Sequence, residues 1–311
     1  APRACRRRMS EIRLPLPGYA YNFDLLLEIV RRFAYPARML VEGAVLWRFT
    51  CGRLLAYQRV GASLVVRGDE LANAEQAAIA RKSLQILGLN RDLSAFYDHA
   101  AKDERLWHGV EPLLGLPLFC TETVFEALVT LVIEQHISWK AALRAQCALM
   151  RLFGPGELVA DDRCVYDFPS PAQLAAASPS QLKPLKITDR RCALIIELAR
   201  RVDSGALDLE AIADLDDSAA CASLMQIKGV GTWTAGNVIG RAFGRYPLLA
   251  ENDVALQAAV RAYFHDGDDK KSADMVRQAL GAHGPYAGMA GHFVLLRWVL
   301  DRYPPQMPNS S

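Results

Sequence analysis

The sequence predicts an α+β N-terminal domain followed by a mostly α-helical region, and three observations predict it. Between Arg38 and Arg67 short β-rich runs succeed one another: Met39 to Phe49, Leu54 to Val60 and Ser63 to Val66. Gly61-Ala62 sits where a tight hairpin should turn. Beyond Leu93 the apolar residues recur with helical rather than alternating period, and no strand is expected there. No repeat of roughly 30 to 45 residues runs through those helices, which argues for a compact helical region rather than a solenoid.

Residues 1–8 are basic and lack the apolar segment of a secretory signal; they read as a solvated extension, with Met9 as the natural initiator. Phe23 to Phe33 reads as a helix behind an Asn22 cap, with Phe23, Leu26, Leu27 and Val30 on one face. After the β-rich runs, Asn73 to Gly88 returns to helical period and completes an α+β domain over 1–92. In the remaining region, 93–311, helices are expected at about 93–102, 121–135, 138–153, 171–177, 179–183, 188–203, 217–226, 232–243, 254–264, 272–282 and 285–302. Val124, Phe125, Leu128, Val129 and Val132 give the second of these one broad buried stripe. Gly154-Pro155-Gly156 and the stretch from Asp161 to Pro171 read as long loops.

Of 311 residues, 51% are hydrophobic and 23% charged, which excludes disordered and collagen-like classes. The strongest apolar run, Val124 to Ile137, is interrupted by Glu126 and Glu134 and falls short of the ~18 residues of a membrane span, so no membrane partner is expected. Lys and Arg total 36 against 34 acidic residues, a net charge of +2 that neither announces nor excludes nucleic acid. The seven cysteines are scattered, with no CxxC pair, so neither a structural zinc site nor a disulfide frame is indicated. Cys221 is the last of them, which leaves no C-terminal cluster for an iron–sulfur centre. Buried free thiols in a reducing, intracellular compartment are the expectation.

The stretch from Leu224 to Phe264 carries the chemistry. Met225-Gln226-Ile227-Lys228-Gly229-Val230-Gly231-Thr232-Trp233 joins two helical patterns, a hairpin at about 217–243 with glycines at alternate positions of its turn. Such a turn lets backbone approach another molecule, and the first amides of the second helix favour an anion such as a phosphodiester. Lys228 adds a point charge. By itself the turn is weak evidence, because any helical hairpin can need glycine. Downstream, Asp253 stands immediately before a new amphipathic helix. Its bland role is an N-cap, for about 1 kcal/mol. A carboxylate so placed can also face a ligand and stabilise a sugar that becomes cationic.

Hairpin, Gly/Ala-rich helix and an Asp 22 residues beyond Gly231 together resemble the signature of the helix-hairpin-helix (HhH-GPD) DNA glycosylase superfamily. Glu134-Gln135-His136-Ile137-Ser138, Phe168-Pro169-Ser170-Pro171, Leu185 to Arg191 and Gly284-Pro285-Tyr286-Ala287-Gly288 follow in the family's order. The hairpin is most similar to the alkylpurine (3-methyladenine, glycosylase II) branch, and the Gly-Pro-Tyr-Ala-Gly stretch to the 8-oxoguanine branch; both resemble this chain in carrying an N-terminal α+β domain. The resemblance implies a two-subdomain helical region that binds damaged double-stranded DNA as a monomer, in the cytoplasm or nucleoid of a bacterium or the nucleus of a eukaryote. A flipped damaged purine would enter the cleft between the subdomains, where Asp253 supports attack by water on the sugar. Bifunctional relatives carry a lysine two positions after the second hairpin glycine, where it forms a Schiff base. Trp233 stands there instead, which implies a monofunctional enzyme. Oxidised-purine excision is the alternative activity, and a non-catalytic hairpin DNA-binding protein the alternative class.

The resemblance also implies a base pocket of Trp233, Asn237, Met289 and Leu295, with the indole face attracting cationic purines. DNA contacts fall on Gln135, His136, Ser138, Thr188, Lys228, Gly229, Val230, Gly231 and Thr232, with Gln135 and His136 filling the gap left by the extruded base. Main-chain carbonyls of Met225, Ile227 and Val230 would hold a monovalent cation; no other cofactor is required. A basic set of Lys140, Lys186, Arg190, Arg191, Lys228, Arg241 and Arg245 is expected to face DNA, and a shallow salt dependence follows from so few charges.

Overall fold

The computed structural model describes residues 9–33, 37–160, 163–265 and 272–303, so the extension expected at 1–8 lies outside the described residues. In chain order the elements are β1 (Met9–Pro15), α1 (Phe23–Phe33), β2 (Met39–Glu42), β3 (Val45–Thr50), β4 (Arg53–Val60), β5 (Ser63–Asp69), α2 (Asn73–Ile86), α3 (Ser94–Ala100), α4 (Glu104–Val110), α5 (Val124–Glu134) and α6 (Trp139–Phe153). Then follow β6 (Gly156–Ala160), β7 (Arg163–Tyr166), α7 (Pro171–Ala175), α8 (Asp189–Asp203), α9 (Asp217–Met225), α10 (Thr232–Phe243), α11 (Val254–Phe264), α12 (Ala273–Leu280) and α13 (Ala287–Arg302). Contacts divide the chain into two compact units that interleave along the sequence. The first takes Ala1–Gly18, Leu26–Asn90 and Val132–Leu207, the second Tyr19–Leu25, Arg91–Leu131 and Asp208–Ser311.

The first unit holds a five-stranded antiparallel sheet of order β1-β5-β4-β3-β2. The turn at Gly61-Ala62 falls between β4 and β5 as the sequence indicates, and Val60 pairs with Ser63. The run from Met39 to Phe49 is broken by Gly43, whose φ of +53° makes the β2–β3 turn. β1, which pairs with β5 from Met9↔Asp69 to Pro15↔Ser63, was not among the expected strands. Its Glu11-Ile12-Arg13-Leu14 alternation is too short to signal a strand without the partner, which Glu11 grips through Arg67 at 3.0 Å. Beneath the sheet, Tyr57 donates to Thr50 Oγ1 at 2.8 Å and lies 3.0 Å from Ser83 Oγ of α2, so these buried hydroxyls satisfy one another.

The expectation of no strand beyond Leu93 is corrected by an antiparallel pair, β6, which opens on the last residue of the Gly154-Pro155-Gly156 loop, and β7, which lies within the loop expected from Asp161 to Pro171. Each has five residues or fewer, and Leu158 is exposed, so hydrophobic alternation carries little signal there. The pair exists because it packs: Gly156 sits on the Tyr166 ring, and β7 meets β3.

In the second unit α13 packs against α4 and α11, around the Phe96, Tyr97 and Phe293 rings. α4 was not expected; seven residues behind Asp103, which accepts from the Arg105 and Leu106 amides, give too few turns for a periodic signal. The helix expected over 285–302 begins with a 3-10 turn, Gly281–Tyr286, in which Gly284 has φ +55°, and α13 proper starts at Ala287. Among the described residues no helix is long and apolar enough to cross a membrane.

Candidate active site

α9 and α10 form the expected hairpin. Asp216 caps α9 by accepting from the Ala219 amide at 2.8 Å, and Leu224, Ile227 and Val230 are buried as its anchors. The tip between them is outward: Lys228, Gly229, Gly231 and Thr232 are all exposed. Gly229 has φ +88°, a conformation that a side chain would strain. Gly231 is different, because its φ of −98° suits any residue and a Cβ there would meet nothing within 4 Å. Nothing in the protein's own packing demands glycine at 231. As the N-cap of α10 it also supplies no side-chain acceptor to the first turn of that helix.

Past the hairpin, five glycines fix where the chain goes. Gly244, with φ +62°, ends α10, and the connector then runs along a face that Gly236 and Gly240 leave bare. A Cβ at Gly240 would lie 2.9 Å from the Tyr246 ring, and one at Gly236 3.0 Å from Leu248. From the other side Gly288 and Gly291 of α13 close on Tyr246, Leu248 and Leu249. Tyr246 stacks on His292 at 4.1 Å with its hydroxyl 3.2 Å from the His292 Nε2, and burial pushes that imidazole down to about 4, so it is neutral. The end of the connector is braced as well: the Glu251 carbonyl accepts from Gln257, and its carboxylate meets Arg277 at 2.7 Å.

Asp253 emerges from this frame as the N-cap of α11. Oδ1 accepts from the Ala255 and Leu256 amides at 2.8 and 3.0 Å, and Oδ2 from the Trp233 indole Nε1 at 2.9 Å. The cap expected of Asp253 is therefore present on one oxygen, while the other faces α10. Asn237 donates to the Trp233 carbonyl at 2.8 Å, one turn back along that helix. The structure thus brings Asp253, Trp233 and Asn237 together. Met289 and Leu295 are half-buried on α13, and a separation of six residues sets them about 120° apart around the helix, so they do not share a face.

Other predicted contacts lie in the first unit. His136 is exposed with φ +53°, an uncommon conformation for a non-glycine residue, and Gln135 beside it is half-buried. The Ser138 hydroxyl is engaged as the cap of α6, accepting from the Ala141 amide, whereas Thr188 takes the N-cap position of α8 with no side-chain cap bond. Arg191 leaves the DNA-facing set, because it is 9% exposed on α8, and Arg245 is tied to Asp217 at 3.1 Å and to the Leu215 carbonyl. Sequence reasoning missed the Trp233 bond to Asp253 and the Arg277 and Gln257 braces. Glycines spaced by four in α10 and by three in α13 were the available signal for the connector.

A helical hairpin with an outward glycine tip, followed by a braced carboxylate at the next helix N-terminus, is the arrangement of a helix-hairpin-helix protein. The chain belongs to the HhH-GPD superfamily of base excision DNA repair proteins, whose model matches residues 129–283. It is similar to a putative DNA-3-methyladenine glycosylase, YfjP, of Bacillus subtilis, with 24% identity over 71% of this chain and 74% of that one. A second relative from that organism, a DNA-3-methyladenine glycosylase, is 30% identical over 56% of this chain and 57% of its own length. Among solved structures, the 3-methyladenine DNA-glycosylase from Archaeoglobus fulgidus superposes with a TM-score of 0.76 at 24% identity, over 94% of this chain and 98% of that one.

Proposed function

We propose that this protein is a monofunctional DNA glycosylase that hydrolyses the N-glycosidic bond of an alkylated, 3-methyladenine-type purine turned out of duplex DNA. The observation that carries the reading is the Asp253 carboxylate, fixed by three hydrogen bonds, with an indole and not an amine beside it. When the base departs it takes the electron pair of the glycosidic bond, and the positive charge left on the deoxyribose faces the carboxylate. Water then adds to the sugar carbon and loses a proton, giving free base and an abasic site. An indole nitrogen has no available lone pair, so Trp233 forms no Schiff base and the strand stays intact. The names of the two Bacillus relatives support an alkylated purine as the base.

On this reading the exposed tip at Lys228, Gly229, Gly231 and Thr232 meets the DNA backbone, with Val230 as the buried anchor between. Gln135 and His136 enter the gap left by the flipped nucleotide, and Ser138 and Thr188 contact the backbone. The carbonyls of Met225, Ile227 and Val230 suit a monovalent cation as neutral oxygen donors; that of Ile227 accepts one amide hydrogen, from Val230 at 3.0 Å, and keeps a lone pair. A cation there would add positive charge beside the phosphate.

Duplexes carrying single 3-methyladenine, 7-methylguanine, hypoxanthine or 8-oxoguanine lesions test the proposal. Alkylated base is expected in the supernatant, with strand breaks only after alkali. Breaks without alkali overturn the monofunctional mechanism, release from 8-oxoguanine alone moves the substrate to oxidised purines, and tight binding without release leaves a DNA-binding protein. Gly231→Ala separates the tip from the fold. Stability is expected to change by no more than about 1 kcal/mol, since the position is an open N-cap. Affinity for lesion duplex, read by fluorescence anisotropy, is expected to fall roughly tenfold, because a methyl group intrudes where phosphate approaches the amides.

A further inference from the structure

We infer that Trp233 is a positioning residue that aims a single working oxygen, Oδ2 of Asp253, and that its indole edge rather than its face carries this role. The inference rests on the glycosylase reading and deepens it. A carboxylate offers about four lone-pair positions, two on each oxygen. Oδ1 spends both of its own on the Ala255 and Leu256 amides, which cap α11. Oδ2 receives the Trp233 N–H at 2.9 Å and keeps one position. Only Oδ2 is thus available to a sugar or a water, and the indole sets the plane in which it is presented. Oδ1 alone would leave the carboxylate free to turn about the capped oxygen; the third bond, from a different helix, removes that freedom.

Trp233 is itself held. It sits at the second helical position of α10, half-buried, its carbonyl accepts from Asn237 at 2.8 Å, and one turn on Gly236 carries Leu248 against the same helix. A ring used as a stacking wall for a cationic purine needs its face toward the ligand, and the polarity of its edge is immaterial to it. A ring used to hold a carboxylate needs the N–H, and substrate charge is immaterial to it. The two roles therefore separate in experiment.

The test uses Trp233→Phe, which keeps an aromatic face and removes the donor, and Trp233→His, which restores an N–H. Single-turnover base release would be measured on duplexes carrying cationic 7-methylguanine and neutral hypoxanthine, together with DNA affinity and thermal unfolding. Loss of a hydrogen bond to a charged group predicts a fall in release of roughly 10- to 100-fold in Trp233→Phe. The factor should be the same on both duplexes, with DNA affinity unchanged and partial recovery in Trp233→His. Unchanged release in Trp233→Phe overturns the inference, as does a loss confined to 7-methylguanine, which would make the ring a stacking wall. A fall that Trp233→His fails to recover, accompanied by a lower unfolding temperature, also overturns it by reducing the ring to a packing role. If the unaltered protein releases neither base, nor any alkylated base, it is the glycosylase reading that fails.

Discussion

Asp253→Asn is expected to lower base release by at least about 100-fold while leaving affinity for lesion duplex within about twofold of its starting value. The charge is what the reaction uses, since a neutral amide cannot offset the cation that forms on the sugar. The fold should hardly notice, because Asn is as good an N-cap as Asp and its carbonyl can accept from the Ala255 and Leu256 amides as Oδ1 does. A local conflict remains. With the carbonyl on the cap, the amide nitrogen replaces Oδ2 and sets two donors face to face with Trp233 Nε1, now 2.9 Å from its acceptor. Turning the amide over restores the indole bond and uncaps α11. Either choice costs on the order of 1 kcal/mol, which thermal unfolding can resolve. Release that survives in Asp253→Asn would remove the carboxylate from the mechanism.

How much of this was legible in the sequence depends on the distance over which each feature is decided. Asp253 was legible twice, as a cap and as a family signature, because both are set by neighbours within a few residues. The hairpin was legible for the same reason: Gly229 and Gly231 punctuate a turn between two local periodicities. Trp233 was legible as an aromatic ring in place of an amine, but the indole edge was not, since edge against face is settled by Asp253 some 20 residues away. Gly288 was legible in a family stretch and Gly236 and Gly240 in a Gly/Ala-rich helix, but their packing role was not, since Tyr246 and Leu248 come between α10 and α13 only in the fold. Arg191 shows the opposite failure, a charge expected to face DNA together with Lys186 and Arg190, and buried in fact by the turn of α8 on which it lies.

Gly288→Ala is expected to be the most damaging small substitution in the second unit. Its added Cβ would stand 2.1 Å from the Tyr246 carbonyl oxygen, 3.0 Å from that carbonyl carbon and 2.9 Å from the Leu248 oxygen. All three are backbone atoms, so no side chain can rotate away; either α13 or the connector must move. Overpacking of a well-packed interior costs about 1–3 kcal/mol where side chains can yield. A clash with fixed backbone belongs above that range, which would lower the unfolding temperature by on the order of 5–10 °C. Two neighbours calibrate the result. At Gly291 the obstacle is Leu249 Cδ1, at 3.2 Å, the end of a flexible side chain, so Gly291→Ala should cost much less. At Gly281 a Cβ meets nothing within 4 Å and φ is −63°, so Gly281→Ala should be close to neutral. The connector that α13 confines leads directly to Asp253, which ties this packing to the chemistry. At a temperature where Gly288→Ala remains folded, base release should still be reduced, because the turn at Glu251 and the cap behind it are carried along with Tyr246 and Leu248. Equal losses of stability in all three variants would mean that the glycines do not set the path of the connector.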